Sequence, residues 1–286
     1  MNKIRRKIIK LRDSNEGVVG IFVALLLIGL FIVVISFVQT VYVPQWMKEK
    51  EAEHMDQVAN QFSQLKFAID TLSVATQQYS PISSPITLGS KEMPFLSSSR
   101  AYGSLDILPN EYKITITDNN AETVSYALGS IKYDSTNAYY MDQSYVYENG
   151  ALILSQHSGD LIAVKPAFSI LEKKDLSLNL IRLSGIGGKT SASGYGTYPV
   201  QTKFYSSSSS LINHVSQITI YNSYTNAWKN FFNDFLSGSA LDYSIDNTAD
   251  NDGITITFFD TVDADLPELT FKVTDIEIQI SPGWVQ

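Results

Sequence analysis

The sequence predicts an α+β protein: a long N-terminal transmembrane and stalk helix, then a mainly antiparallel, β-sandwich-like exported domain with one short helix. Three observations carry this. The stretch Val18–Val43 is apolar and free of charge. Apolar residues at helical spacing continue from Met55 to Leu72. From Tyr112 onward, short alternating runs rich in Ile, Val, Tyr and Thr recur between turn signals.

Residues 1–17 read as a basic cytoplasmic leader. Lys3, Arg5, Arg6, Lys7, Lys10 and Arg12 are all of its first charges, with no acid among them. Of 21 basic and 29 acidic residues, the remainder of the chain keeps a strongly acidic balance. Such a surface repels phosphate backbones, so nucleic acid is excluded as a partner. The cysteine count is zero, which removes disulfides, thiol nucleophiles and thiolate metal sites.

Residues 18–43 form the expected membrane anchor, with Val18, Ile21, Leu25, Leu30 and Phe37 among its lipid-facing residues. At about 1.5 Å per residue a helix over this stretch is roughly 39 Å long, more than the hydrocarbon core requires. Tyr42 and Trp46 fall where an interfacial aromatic belt lies. The basic leader keeps the N-terminus cytoplasmic and places the following domain outside. A cleaved secretory signal would have a shorter apolar region and a small-x-small site, and Val41-Tyr42-Val43-Pro44 is not one.

Residues 44–80 read as an amphipathic stalk helix. Pro44 lacks an amide hydrogen and is expected to kink or restart the helix. Lys48-Glu49-Lys50-Glu51 reads as a solvated charge run. Met55, Val58, Phe62, Leu65, Ile69 and Leu72 then form a helix seam at alternating spacings of three and four, broadened by Ala59 and Phe67. The stripe packs either on the chain's own β domain or against another subunit. Pro81 predicts a helix end near Tyr79-Ser80.

Residues 81–110, rich in Ser and Pro, read as a linker or irregular wrap, and residues 111–286 as the β-rich exported domain. Strands are expected at Tyr112–Thr117, Tyr145–Glu148, Ala151–Ser155, Leu161–Val164, Leu176–Leu183, His214–Tyr221, Ile254–Phe259 and Leu269–Ile280. Asn149-Gly150 is a hairpin turn signal. The last run changes its alternation once, which suggests a bulge near Thr274-Asp275. Tyr224–Leu236 is the one short helix, stopped by Gly238. Ser206–Ser210 reads as a flexible spacer.

The N-terminal pattern carries a resemblance. Basic residues, then Glu16-Gly17 and Val18-Val19-Gly20-Ile21 opening a long apolar helix, resemble archaeal type IV pilin-like and archaellin-like proteins with a class III signal peptide. The stretch around Pro44 and the following acidic amphipathic helix is similar to an uncharacterised large member of that group. The resemblance implies processing between Gly17 and Val18 by a prepilin peptidase, with the helix kept as anchor or filament core. Glu16 stands where those families usually carry Lys or Arg. The implied partners are the lipid bilayer, other pilin-like subunits met through the N-terminal helix, and a surface ligand. The implied function is a cell-surface subunit, a minor or tip component of a type IV pilus-like filament, structural and adhesive. The alternatives are a non-filamentous, single-pass anchored binding protein and, last, a surface-tethered hydrolase.

Motifs for chemistry are weak. Gly185–Thr190 lacks the first glycine of a phosphate loop, because Leu183 stands in its place. Asp246–Gly253 is acidic but fails the EF-hand spacing, and reads as an Asp-Gly turn with irregular calcium binding as the alternative. His54, His157 and His214 have no metal-ligand spacing, and Ser63 and Lys66 match S-x-x-K without its companions. No catalytic, metal or cofactor site is expected, and no enzyme activity. Loops Asp134–Tyr140 and Ser191–Tyr198 read as plain strand and turn composition, with an adhesive surface formed with exposed tyrosines as the alternative.

Overall fold

The computed structural model describes residues 16–74, 80–92, 100–261 and 265–281. The chain divides into two units, Met1–Trp46 and Met47–Gln286.

The first unit holds α1 (Glu16–Phe37), a π-helical turn over Val38–Tyr42, and the start of α2 (Val43–Ser73). Pro44 produces no break. The turn just before it widens instead, with Val43 N–H donating to Val38 O, five residues back. A π turn opens the backbone where the proline ring would otherwise press on the preceding turn. The hydroxyl of Thr40 donates to Ser36 O at 2.8 Å in the same stretch.

The second unit continues α2 from Met47 and is otherwise mostly strand. In chain order these are β1 (Ile82–Thr87), β2 (Tyr102–Asp118), β3 (Thr123–Thr136), β4 (Gln143–Glu148), β5 (Ala151–Gln156), β6 (Gly159–Val164), β7 (Ser169–Leu171), β8 (Asp175–Gly185), β9 (Ser191–Gly194), β10 (Thr197–Ile212) and β11 (Val215–Tyr221). Then come α3 (Thr225–Leu236), β12 (Asp242–Asn247), β13 (Gly253–Phe259) and β14 (Leu269–Ile280). One sheet runs β1-β10-β14-β8-β7, and the other runs β12-β13-β11-β2-β3-β4-β5-β6, with β9 paired to β2. All pairs are antiparallel except β14 with β8. The α+β reading holds.

Two apolar cores occupy this unit. One is built on α2. Met55, Val58, Phe62, Leu65, Ile69 and Leu72 all lie in it, packed with Ile131, Tyr133, Tyr147 and Ile278 among others. The seam is therefore spent on the chain's own sheets and is closed to another subunit. Ala59 joins it from the margin, but Phe67 is 73% exposed and does not broaden it. The other core is built on α3, whose Trp228, Phe231 and Phe232 pack with Tyr112, Ile220, Ile256 and Phe271.

Several strands serve both cores, either by burying both faces at once or by changing the buried face along their length. The β4–β5 hairpin sends Tyr145, Tyr147 and Leu152 into the α2 core, and Val146, Ala151 and Ile153 into the α3 core. β8 gives Leu176, Leu178 and Leu180 to the α3 core, then Ile181 and Leu183 to the α2 core. β14 does the same, with Leu269, Phe271 and Val273 first and Ile276, Ile278 and Ile280 after. The two crossings sit side by side, since Leu180 pairs with Val273 and Ile181 with Thr274. The broken alternation in β14 is this change of core. The bulge expected at Thr274-Asp275 lies in the neighbouring strand instead, where Tyr205 is the extra residue between Phe204 and Ser206.

Other expectations need correcting. The supposed linker 81–110 supplies β1 and the first part of β2. The Ser206–Ser210 spacer is part of β10, held by pairing with Asp275–Phe271 of β14. The stalk helix ends at Ser73, ahead of the proline, because tertiary donors cap it there. Lys272 Nζ donates to Ser73 O at 2.6 Å, and a cation suits the negative end of a helix. Tyr79 lies outside the described residues.

Candidate functional site

The apolar helix lies in the first unit and the buried polar groups lie in the second. In the first unit, α1 is apolar around its whole circumference. Every side chain from Val19 to Phe37 is exposed, including Ile21, Leu25, Leu30 and Phe37. Among the described residues, this is the one helical run long and apolar enough to cross a membrane. Its backbone groups are paired along the helix, which is the condition for residence in lipid. Phe37, Tyr42 and Trp46 form a chain of ring contacts at its end, 5.6 and 5.8 Å between centroids. The backbone of Gly17 and Val18 lies in the first turn of α1, while their side chains and the basic leader fall outside the described residues.

In the second unit the charge run hides a structural acid. Glu51 is fully buried, not solvated. Its carboxylate accepts the backbone N–H groups of Ala138, Tyr139 and Tyr140 at 3.0, 2.7 and 2.7 Å. Three convergent donors hold this loop onto α2, so Asp134–Tyr140 is not a loose adhesive loop: its first half is strand and its second half is clamped. Glu51→Ala is expected to cost about 2 kcal/mol, because three donors lose a charged acceptor away from water. Hydrogen exchange at amides 138–140 should accelerate, and unchanged protection there would remove the clamp from the account.

Nearby, His54 Nε2 meets Thr87 O at 3.0 Å, so that nitrogen carries the hydrogen. Burial pushes the imidazole below its ordinary value, with the Thr87 carbonyl and Glu51 opposing. His54 lines an open cleft of about 180 Å³ together with Lys50, Glu53, Gln57, Thr87 and Lys91. Lys50 and Glu53 pair with each other there at 2.7 Å, and Ser90 and Thr197 also line the cleft.

Among the described residues, Glu148 is the acid pushed furthest from its ordinary value. It stands at the end of β4, fully buried, and accepts the Trp228 indole N–H at 2.6 Å. Burial pushes its carboxyl up to about 8, against the pull of that N–H, with the charge of Glu111 adding to the rise. Tyr112, whose ring lies 5.4 Å from Trp228, is raised well above its ordinary value by the same burial and by Glu148. Next to it, the Asn149-Gly150 turn takes positive φ at both residues (45° and 80°), the type I′ hairpin its sequence announces. Asn149 Oδ1 accepts Ile181 N–H at 3.0 Å, which ties the hairpin to β8 at its crossing between cores. An acid closed off from solvent cannot meet a substrate, so this node holds structure.

The weaker motifs do not assemble. Ser63 donates to Ala59 O and Lys66 pairs with Asp70 at 2.5 Å, so the two never meet. In the acidic loop, Thr248 donates to Asp252 at 2.6 Å and Asn251 takes the positive φ. Gly253 serves close approach of strands, since a Cβ there would lie 2.0 Å from Ile220 O. Among the described residues no group of three His, Cys, Asp or Glu side chains could hold a metal ion.

On the surface, Arg100 lies 3.7 Å from the centroid of the Tyr195 ring, which meets Tyr102 edge to face at 5.6 Å. The Ser191–Tyr198 stretch is largely strand: Ser191–Gly194 is β9, paired to β2, Thr197 opens β10, and Tyr195 sits in the bend between them. Sequence reasoning missed Glu51, since nothing local marks which acid of a charged run turns inward, and Glu148, whose partner Trp228 is remote in sequence. No protein-family model, no curated protein and no solved structure matches the chain.

Proposed function

We propose that the chain is a pilin-like, membrane-anchored cell-surface subunit, a minor or tip component of a type IV pilus-like filament, with a structural and adhesive role. The observation that carries this reading is α1, apolar on all sides with every side chain from Val19 to Phe37 exposed. Such a helix needs lipid or other apolar helices around it. The basic leader supports an N-terminus inside and a C-terminal domain outside the cell membrane. The Arg100–Tyr195–Tyr102 stack suits contact with a surface ligand, as aromatic and arginine side chains do at interfaces. A non-filamentous anchored binding protein is the second reading. The burial of the whole Met55–Leu72 stripe favours it, because that part of α2 keeps no apolar seam for a neighbour.

Mass spectrometry of the native N-terminus separates the two. A mature chain starting at Val18 supports prepilin processing, and a chain starting at Met1 or Asn2 supports the permanently anchored form. Leu25→Arg with Leu30→Arg is expected to release the protein from carbonate-washed membranes, since each arginine costs about 3 kcal/mol near the middle of a spanning helix. Retention of the doubly charged variant would sink the anchor. Protease added to whole cells should remove the β unit, and its survival would reverse the orientation.

A further inference from the structure

Most of the strands that end the two sheets of the second unit carry a device against pairing with another chain. β1 contains Pro85, β7 has three residues, and β12 carries Asp242 and Asp246. β6 differs. It ends its sheet, runs for six residues (GDLIAV) without proline, and leaves Leu161 52% and Val164 37% exposed. Charges stand only near its two ends, Asp160 and Lys165.

Its register with β5 arranges these residues. Leu161 pairs with Leu154, Ile162 with Ile153, and Val164 with Leu152, so Ala163 is an extra residue. The bulge puts Leu161 and Val164 on the same face of the sheet, beside Leu154 and Leu152. Ile162 takes the other face and packs on the α3 core.

We propose that β6 pairs, antiparallel and about a two-fold axis, with β6 of a second copy of this chain. The strand is complementary to itself in that direction. With the axis between Ile162 and Ala163, Asp160 lies opposite the second copy's Lys165, and the reverse pair forms by symmetry. Leu161 lies opposite the second copy's Val164, apolar against apolar on the shared face. Lys165 already sits beside Asp234 of α3, and the second copy's Asp160 adds an acid on its other side. The bulge falls at the axis, so the two ends of the strand pair hold it. One strand pair is small beside interfaces of about 1,000 Å² and more, and confinement of both copies to one membrane would raise their effective concentration.

The absence of cysteine from the chain makes the test clean. Full-length L161C and V164C chains carrying different tags are mixed, in vesicles and in detergent at high protein concentration, and oxidised. Directly opposite residues lie within disulfide reach, whereas like positions across this axis are offset by the bulged step that spans two residues of β5, about 7 Å along the strands in addition to the about 5 Å between them. The mixed L161C–V164C disulfide is expected to form severalfold faster than either chain bonds to its own kind. Asp160→Lys in both chains, which sets lysine against lysine, should suppress it, with the melting temperature confirming the fold. Equal rates for like and unlike pairs, an equal rate for S207C with S209C on β10, or no disulfide in either medium would overturn the pairing. Recovery of the chain with the vesicles is scored separately, and the detergent arm needs no anchor, so failure of the pairing is distinguishable from failure of the anchor.

Discussion

Glu148→Gln is expected to stabilise the β unit by about 3 kcal/mol at pH 7, a rise of about 10 °C in melting temperature. The carboxyl titrates near 8 in the folded chain, raised from its ordinary 4.5 by burial. Between those values the folded state binds the proton and the unfolded state releases it. Stability therefore falls as pH rises through this window, by about 5 kcal/mol in all, and is level above it. Glutamine keeps an oxygen to accept the Trp228 N–H and has no proton to lose. Denaturant unfolding of both proteins at pH 5, 7 and 9 should give a difference near zero at the acid end that widens with pH. His54 titrates in both chains and drops out of the comparison. A constant difference across this range would mean that Glu148 is not the group responsible.

Phe62→Ala is the corresponding loss. Phe62 is fully buried in the α2 core, with its ring 6.4 Å from that of Tyr133 and 6.1 Å from that of Tyr145. Removing it leaves a cavity between α2 and the sheet, at an expected cost of about 3–5 kcal/mol. Phe67→Ala, five positions on and 73% exposed, should change stability by less than about 0.5 kcal/mol. The pair reads the facing of α2 in one experiment. Equal costs for the two phenylalanines would mean that the helix presents a different side to the sheets.

The same pair shows what was legible in the sequence. The spacing from Met55 to Leu72 named the buried side of α2 residue by residue, because a helix turns by a fixed angle. Phe67 was misplaced because hydrophobicity does not say which flank of a stripe a sheet covers. Asn149-Gly150 was readable because few residues accept positive φ twice in succession. Ser206–Ser210 was not, since serine has little strand preference and its conformation comes from β14 alongside. The end of α2 was not readable either, because the donors to its last carbonyl arrive from Lys272 and Thr274, remote in sequence. Glu51 and Glu148 escaped for a related reason. A buried acid is defined by the donors that converge on it, and those donors sit on β3–β4 and α3. Of the candidate site, the anchor was legible because lipid selects on composition alone, while the polar nodes depend on packing.

β14 follows every other described strand in chain order, yet it completes both cores. While the polypeptide is still emerging, neither α2 nor α3 has its full set of apolar neighbours, however early each helix is made. Leu269–Val273 and Ile276–Ile280 then finish the two hydrophobic halves in a single step. Until that strand is delivered, both hydrophobic halves stay open, a state exposed to proteases and to pairing with other chains.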